Sequence, residues 1–276
     1  MSFSTLMVRM DLQASNAAVL SVAADLATRF KADVVGIAVA QPMQLIYSEG
    51  YVDGSLFEQD RLQKQGLIHL AEEQFRAAMG GRVANIHWLA DGSPLSVPEY
   101  LANAMRCADL LITGPTARGS TPGALSQAEM GELVIRVGRP VLLVPHDTEQ
   151  IDLTSAVIGW RDTREVRRAA VDALPLLRLA GRVTVAEIVP KNEVADANLR
   201  LTDVAAWLGR HGVEAHACAL PASGDDAGRL DELAQDQHAG LLVVGAYGHN
   251  RVREWMLGGV TRALLAHPAR LSLLSH

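Results

Sequence analysis

The chain has 276 residues, 49% of them apolar but only 4% aromatic, with two cysteines and a formal net charge of −6. Scattered basic residues and an acidic balance exclude a general nucleic-acid binder, which needs a clustered basic face, and so few aromatics leave little surface on which bases could stack. Cys107 and Cys218 lie far apart, one in a predicted helix and one in a predicted strand, so neither a disulfide framework nor a metal knuckle is signalled and a reducing cytoplasm is expected.

The N-terminus lacks a charged region leading into a long apolar stretch, and no uncharged apolar run is long enough to span a bilayer, so neither signal nor membrane span is expected. Leu6–Met10 reads as a buried strand. Asn16–Phe30 is predicted to be a helix, because Val19, Val22, Ala23, Leu26, Ala27 and Phe30 recur at i, i+3, i+4, i+7 spacing. Asp33–Val39 is a second strand. Met43–Asp60, rich in turn and polar residues but carrying Tyr47, Tyr51, Leu56 and Phe57, reads as an insertion that forms a lid, a partner surface or an unstructured excursion. Asn85–Ala90, Ala108–Gly114 and Pro140–Val144 complete five strands, with a helix over Val97–Cys107.

The same order then recurs. Ala156–Trp160 is a strand, Thr163–Leu177 a helix with Val166, Ala169, Ala170, Ala173, Leu176 and Leu177 on one face, and Arg182–Val189 a strand. Val213–Leu220 and Ala239–Gly245 follow as strands with the helix Arg229–His238 between them. Val260–His267 is a helix closed by Pro268, and Leu271–Leu274 a fifth strand. Val8 to Ile112 spans 104 residues and Ile158 to Val244 spans 86, so the first copy carries about 18 more, assigned to Met43–Asp60. Strands alternating with helices make doubly wound parallel sheets. The fold class is therefore α/β, with two tandem five-stranded parallel-sheet domains in flavodoxin- or Rossmann-like layering. The boundary falls in the polar link His146–Leu153, which places the domains at 1–149 and 150–276.

Gly240–Thr261 is the stretch with chemistry. The apolar run Leu241–Val244 ends in Gly245, Gly248 follows three residues later, and Gly258-Gly259 opens the next helix. Glycines let backbone N–H groups close on a ligand, and a helix start adds unpaired N–H groups and a positive dipole end. That combination suits a phosphate, although strand-to-helix turns also contain glycine for steric reasons alone.

Gly245-Ala246-Tyr247-Gly248, nine residues, then Gly258-Gly259-Val260-Thr261, at the end of a fourth strand, resembles the nucleotide loop of the universal stress protein family. The duplicated chain resembles that family's tandem type, of adenine-nucleotide α-hydrolase-like fold. The resemblance implies a cytoplasmic stress-response protein that dimerises and binds ATP, with or without magnesium, in its C-terminal half. It would set Gly245 at the ribose and inner phosphate, and Gly248 over the phosphate chain. Gly258, Gly259 and Val260 would present N–H groups to the outer phosphates, and Thr261 its hydroxyl. Gly259 replaces the family's small hydroxyl residue, which removes one side-chain hydrogen bond of roughly 1 kcal/mol. Arg161 stands where nucleotide-binding members carry an acidic residue and Asp162 where they carry glycine. Arg161 is a candidate phosphate contact, while Asp162 and Thr163 also suit a helix cap. His249, Arg251 and Arg253 follow Gly248 within reach of phosphates, or form a polar loop flank.

The first copy departs further. Ala117 replaces the second glycine, and Met130-Gly131-Glu132-Leu133 is read as opening the following helix, with Glu132 facing a phosphate unfavourably. Asp11 matches the family's acidic position, yet this half is expected not to bind ATP. The apolar edge strands Pro140–Val144 and Leu271–Leu274 are candidates to pair as an internal pseudo-dimer, and a homodimer of the whole chain stays open. No Gly-x-Ser-x-Gly elbow, His-Glu-x-x-His or lysine-bearing phosphate loop occurs. Three readings remain: a nucleotide-responsive stress protein with unknown protein partners, an enzyme that hydrolyses ATP or transfers a nucleotidyl group through the same loop, and an interaction scaffold free of nucleotide.

Overall fold

The computed structural model describes residues 2–41, 54–91, 95–115, 125–246, 259–266 and 268–276. The first half runs β1 (Thr5–Arg9), α1 (Ala17–Phe30), β2 (Asp33–Val39), α2 (Gly54–Met79), β3 (Ile86–Asp91), α3 (Val97–Ala104), β4 (Leu110–Thr113), α4 (Gln127–Arg136) and β5 (Val141–Leu143). The second half repeats this with β6 (Ser155–Trp160), α5 (Arg164–Leu177), β7 (Arg182–Val189), α6 (Val194–Arg210), β8 (Ala215–Pro221), α7 (Asp226–Asp236), β9 (Leu241–Gly245), α8 (Gly259–Ala266) and β10 (Leu271–Ser275). Strand order is β3-β2-β1-β4-β5 in one half and β8-β7-β6-β9-β10 in the other. Every pairing within a half is parallel.

The strands form because their apolar runs are buried on both faces, as parallel sheets require. Leu6, Met7 and Val8 of β1 and Leu241 to Val244 of β9 are all at most 3% exposed. One face is covered by α1, α2, α5 and α6, through residues such as Leu26, Phe75, Leu176 and Leu201. The other is covered by α3, α4, α7 and α8, through Leu101, Leu133, Leu230 and Leu265.

The two five-stranded units share one ten-stranded sheet. β5 and β10 pair antiparallel, with Leu142 opposite Leu273 and Val141 opposite Leu274. All of these side chains are fully buried, so each edge strand satisfies its backbone groups on the other. The core is continuous across this seam: Leu142 and Leu273 belong to one apolar layer, Leu143 and Leu274 to the other. Antiparallel pairing also sends the C-terminal strand ends of the two halves to opposite edges of the sheet.

Two helices have no counterpart in the periodicity reading. α6 buries only Ala197, Leu201 and Leu208, a sparse stripe. α2, at 26 residues against 17 in α6, takes up much of the extra length of the first half. The insertion expected over Met43–Asp60 is thus shorter: Gly54–Asp60 opens α2, where Leu56 and Phe57 stay exposed at the surface, and 42–53 lie outside the described residues.

Candidate functional site

In the second half β6 lies between β7 and β9, so the chain leaves β6 toward one side and β9 toward the other. Ligands of open α/β sheets bind in the crevice that this reversal opens beyond the carboxyl ends of the strands. Gly159 pairs with Val244, which sets Trp160 beside Gly245 and brings Arg161 and Ala246 to the same edge. β10 is parallel to β9, so α8 has to return the chain from this edge, with its first residues Gly259, Val260 and Thr261 starting there. The N–H groups of a first helical turn have no partner within the helix. Val260 packs half-buried against the apolar layer, and Thr261 is buried.

The structure therefore brings Arg161, Asp162, Gly245, Gly259, Val260 and Thr261 to one edge. Gly248, His249, Arg251, Arg253 and Gly258 lie outside the described residues. Arg161 is exposed, and its guanidinium makes no hydrogen bond or ion pair with a described residue. Asp162 is occupied: its Oδ1 accepts from Arg167 Nη2 at 2.6 Å and Nε at 3.1 Å. Thr163 is the cap residue of α5 but makes no capping hydrogen bond through its side chain.

Gly245 has a packing role that does not involve any ligand. A Cβ there would lie 2.5 Å from Val166 N, 2.7 Å from Glu165 C and 2.8 Å from Val166 Cγ2. Strand β9 can end against the first turn of α5 only because this residue has no side chain.

Two buried carboxylates at this edge escaped the sequence reading. Glu165, in the first turn of α5, is 5% exposed and accepts a hydrogen bond from Arg164 Nε at 2.5 Å. Burial pushes its carboxyl up, but the Arg164 hydrogen bond and charge, with its own backbone N–H, hold it below the ordinary glutamate value. Glu187, opposite Trp160 at the end of β7, is gripped by Arg200 through Nε at 2.9 Å and Nη2 at 3.1 Å. The signal available for Glu165 was its place just after a predicted cap, where acidic residues meet the helix dipole.

In the first half the equivalent reversal lies between β1 and β4. Asp11 is engaged there by the Gln13 N–H at 2.8 Å and by Arg9 Nη1 at 3.5 Å. Arg9 is 5% exposed; burial lowers its pKa from the ordinary value, against the opposing charges of Asp11 and Glu129. Helix α4 starts at Gln127, earlier than the expected Met130, because Ser126 and Glu129 form a reciprocal capping box. Glu129, not Glu132, is the acidic residue of the first turn. Glu132 sits a turn further on and pairs with Arg136 at 2.6 Å. The Ser-x-x-Glu spacing was present in the sequence and marks this start.

Among the described residues no cluster of His, Cys, Asp and Glu has the makings of a metal site, and no helix is long and apolar enough to cross a membrane. No protein-family model matches the sequence, and no curated protein matches it. Solved structures do. A universal stress protein from Archaeoglobus fulgidus superposes with a TM-score of 0.72 at 13% identity, over 98% of this chain and 95% of its own. A putative universal stress protein from Pseudomonas aeruginosa gives 0.56 at 17% identity, over 99% and 92%. The cytoplasmic domain of a prokaryotic cation chloride cotransporter gives 0.50 at 13% identity, over 98% and 94%. At such identities the likeness concerns the fold and not the activity. The chain has the tandem α/β fold of the universal stress proteins.

Proposed function

We propose that this chain is a stress-response protein that binds ATP or a related adenine nucleotide in its second half and acts through nucleotide-dependent contacts with other proteins in the cytoplasm, with no turnover required. The observation that supports this reading is the reversal of strand order between β6 and β9, at whose edge the exposed Arg161 follows β6 and α8 begins. A guanidinium and helix-start N–H groups are the donors that a polyphosphate needs. The tandem fold shared with universal stress proteins supports the same reading. Titration with Mg-ATP followed by tryptophan fluorescence tests it, because Trp160 adjoins this edge and Trp255 belongs to the loop sequence. A saturable change is expected, and the absence of any change at millimolar Mg-ATP would remove the proposal.

A second reading, an interaction scaffold without nucleotide, is favoured by one specific pair of observations. Gly245 is required by helix packing, and Glu165, whose backbone borders it, is a buried carboxylate already held by Arg164. The same fold in the cytoplasmic domain of a transporter is consistent with a scaffold role. The fluorescence titration separates the two readings.

A further inference from the structure

The shared sheet ends in two outer strands, β3 and β8, and their free edges differ. In β8 the Ala222 N–H donates to Val189 O, so alternate residues Ala215, Ala217, Ala219 and Pro221 turn their backbone groups away from β7. This edge is blunted. Pro221 has no N–H to offer, and the Ala219 N–H is taken by Asn198 Oδ1 of α6 at 3.0 Å.

In β3 the Val34 N–H donates to Asn85 O, which turns the N–H and C=O groups of Ile86, Trp88 and Ala90 outward. These outward groups have no hydrogen-bond partner among the described residues. The Trp88 ring leans inward over Gly36 and against Phe75 of α2, with 5.6 Å between ring centroids, and so does not shield the edge. On the other face of the strand His87 and Leu89 are exposed, Leu89 by 40%. An edge left open in this way is a template for another strand.

The pattern of the edge selects its occupant. An antiparallel copy of β3, related by a two-fold axis at Trp88, sets Trp88 opposite Trp88 and Ile86 opposite Ala90. Every outward N–H then meets an outward C=O, because residues opposed in such positions exchange both bonds. On the other face Leu89 comes to lie opposite His87, which covers apolar surface and keeps the two histidines apart. The same axis sets the two α2 helices antiparallel, and Glu72 and Arg76, one turn apart and 2.7 Å from each other within the chain, are complementary to their own reversed order. An unrelated peptide would require no such self-complementarity. The chain already closes one pair of edges antiparallel, β5 on β10.

We propose that β3 is a homodimerisation edge, at which two chains pair β3 with β3 antiparallel about an axis at Trp88 and continue one sheet through both. The inference does not depend on nucleotide binding, which concerns the second half.

Sedimentation velocity of the full chain, with hydrogen exchange read on the same samples, tests it. A monomer–dimer equilibrium is expected between about 1 and 100 μM, with exchange at Ile86, Trp88 and Ala90 slowing as the dimer forms. Ala90→Pro removes an outward donor and spares the ladder to β2, while Leu89→Lys adds a charge at the contact; each is expected to weaken dimerisation by at least about 10-fold. Ala217→Pro makes the matching change at the β8 edge and is expected to leave the dimer unchanged. Should Ala90→Pro fail to fold by circular dichroism, Leu89→Lys and the exchange data decide alone. A monomer throughout that range, a dimer with no added protection in β3, a dimer indifferent to Leu89→Lys, or one as sensitive to Ala217→Pro as to Ala90→Pro would overturn the proposal.

Discussion

Replacing Gly245 by alanine probes the closest backbone approach at the candidate site. The added methyl would sit 2.5 Å from Val166 N and 2.7 Å from Glu165 C, both backbone atoms that cannot rotate away. Ordinary contact begins near 3.4 Å, so the first turn of α5 would have to retreat by about 0.7–0.9 Å. That helix is fixed by Val166, Ala169, Ala170 and Ala173, each at most 5% exposed, and cannot move without opening the core beneath them. Overpacking costs about 1–3 kcal/mol, and displacement of backbone puts this site at the upper end, about 3 kcal/mol. At about 2–4 °C per kcal/mol for a chain of this size, the midpoint should fall by about 6–12 °C. Urea and thermal unfolding followed by circular dichroism measure this. Stability within about 0.5 kcal/mol of the parent protein, the range of an ordinary surface change, would refute the close packing of β9 on α5.

Other substitutions separate binding from folding. Arg161→Ala removes an exposed, unbonded guanidinium and should leave unfolding unchanged while weakening Mg-ATP by roughly 10-fold or more, the worth of a charge-assisted hydrogen bond; equal affinity by calorimetry would remove Arg161 from the site. Gly248→Val should abolish nucleotide binding by blocking backbone approach, whereas Ala117→Val in the first half should not affect it. Leu273→Ala, fully buried opposite Leu142 at the seam, should cost about 2–5 kcal/mol in urea unfolding; a smaller loss would mean that the seam contributes little. Glu165→Gln addresses pH. The folded carboxyl titrates below its ordinary value, so its stabilisation is complete above that value and is lost as pH falls through the lower folded one. The variant should be less stable at neutral pH and lose less on acidification, as acid unfolding curves would show.

Much of the fold was legible because parallel strands are buried on both faces and so read as continuous apolar runs. Asp33–Val39 and Arg182–Val189 match the observed strands residue for residue. Helices with a dense stripe, α1 and α5, were equally plain. α2 was hidden because, among its residues of described burial, only Ala71, Phe75 and Met79 are buried, all in its C-terminal third. α4 starts three residues ahead of Met130 because the reciprocal Ser126/Glu129 capping box, and not the apolar and glycine residues after it, fixes the first turn. At the candidate site, the spacing of Gly245 and Gly259 located the strand end and helix start. It could not reveal that Gly245 is demanded by Val166, nor that Glu165 is buried, since both facts depend on how α5 lies across the sheet.

The most direct test is isothermal titration of the full chain with Mg-ATP, read for stoichiometry as well as affinity. One nucleotide per chain is expected, lost in Gly248→Val and retained in Ala117→Val. No heat of binding at millimolar nucleotide would contradict a nucleotide site in the second half, and two nucleotides per chain would contradict its restriction to that half.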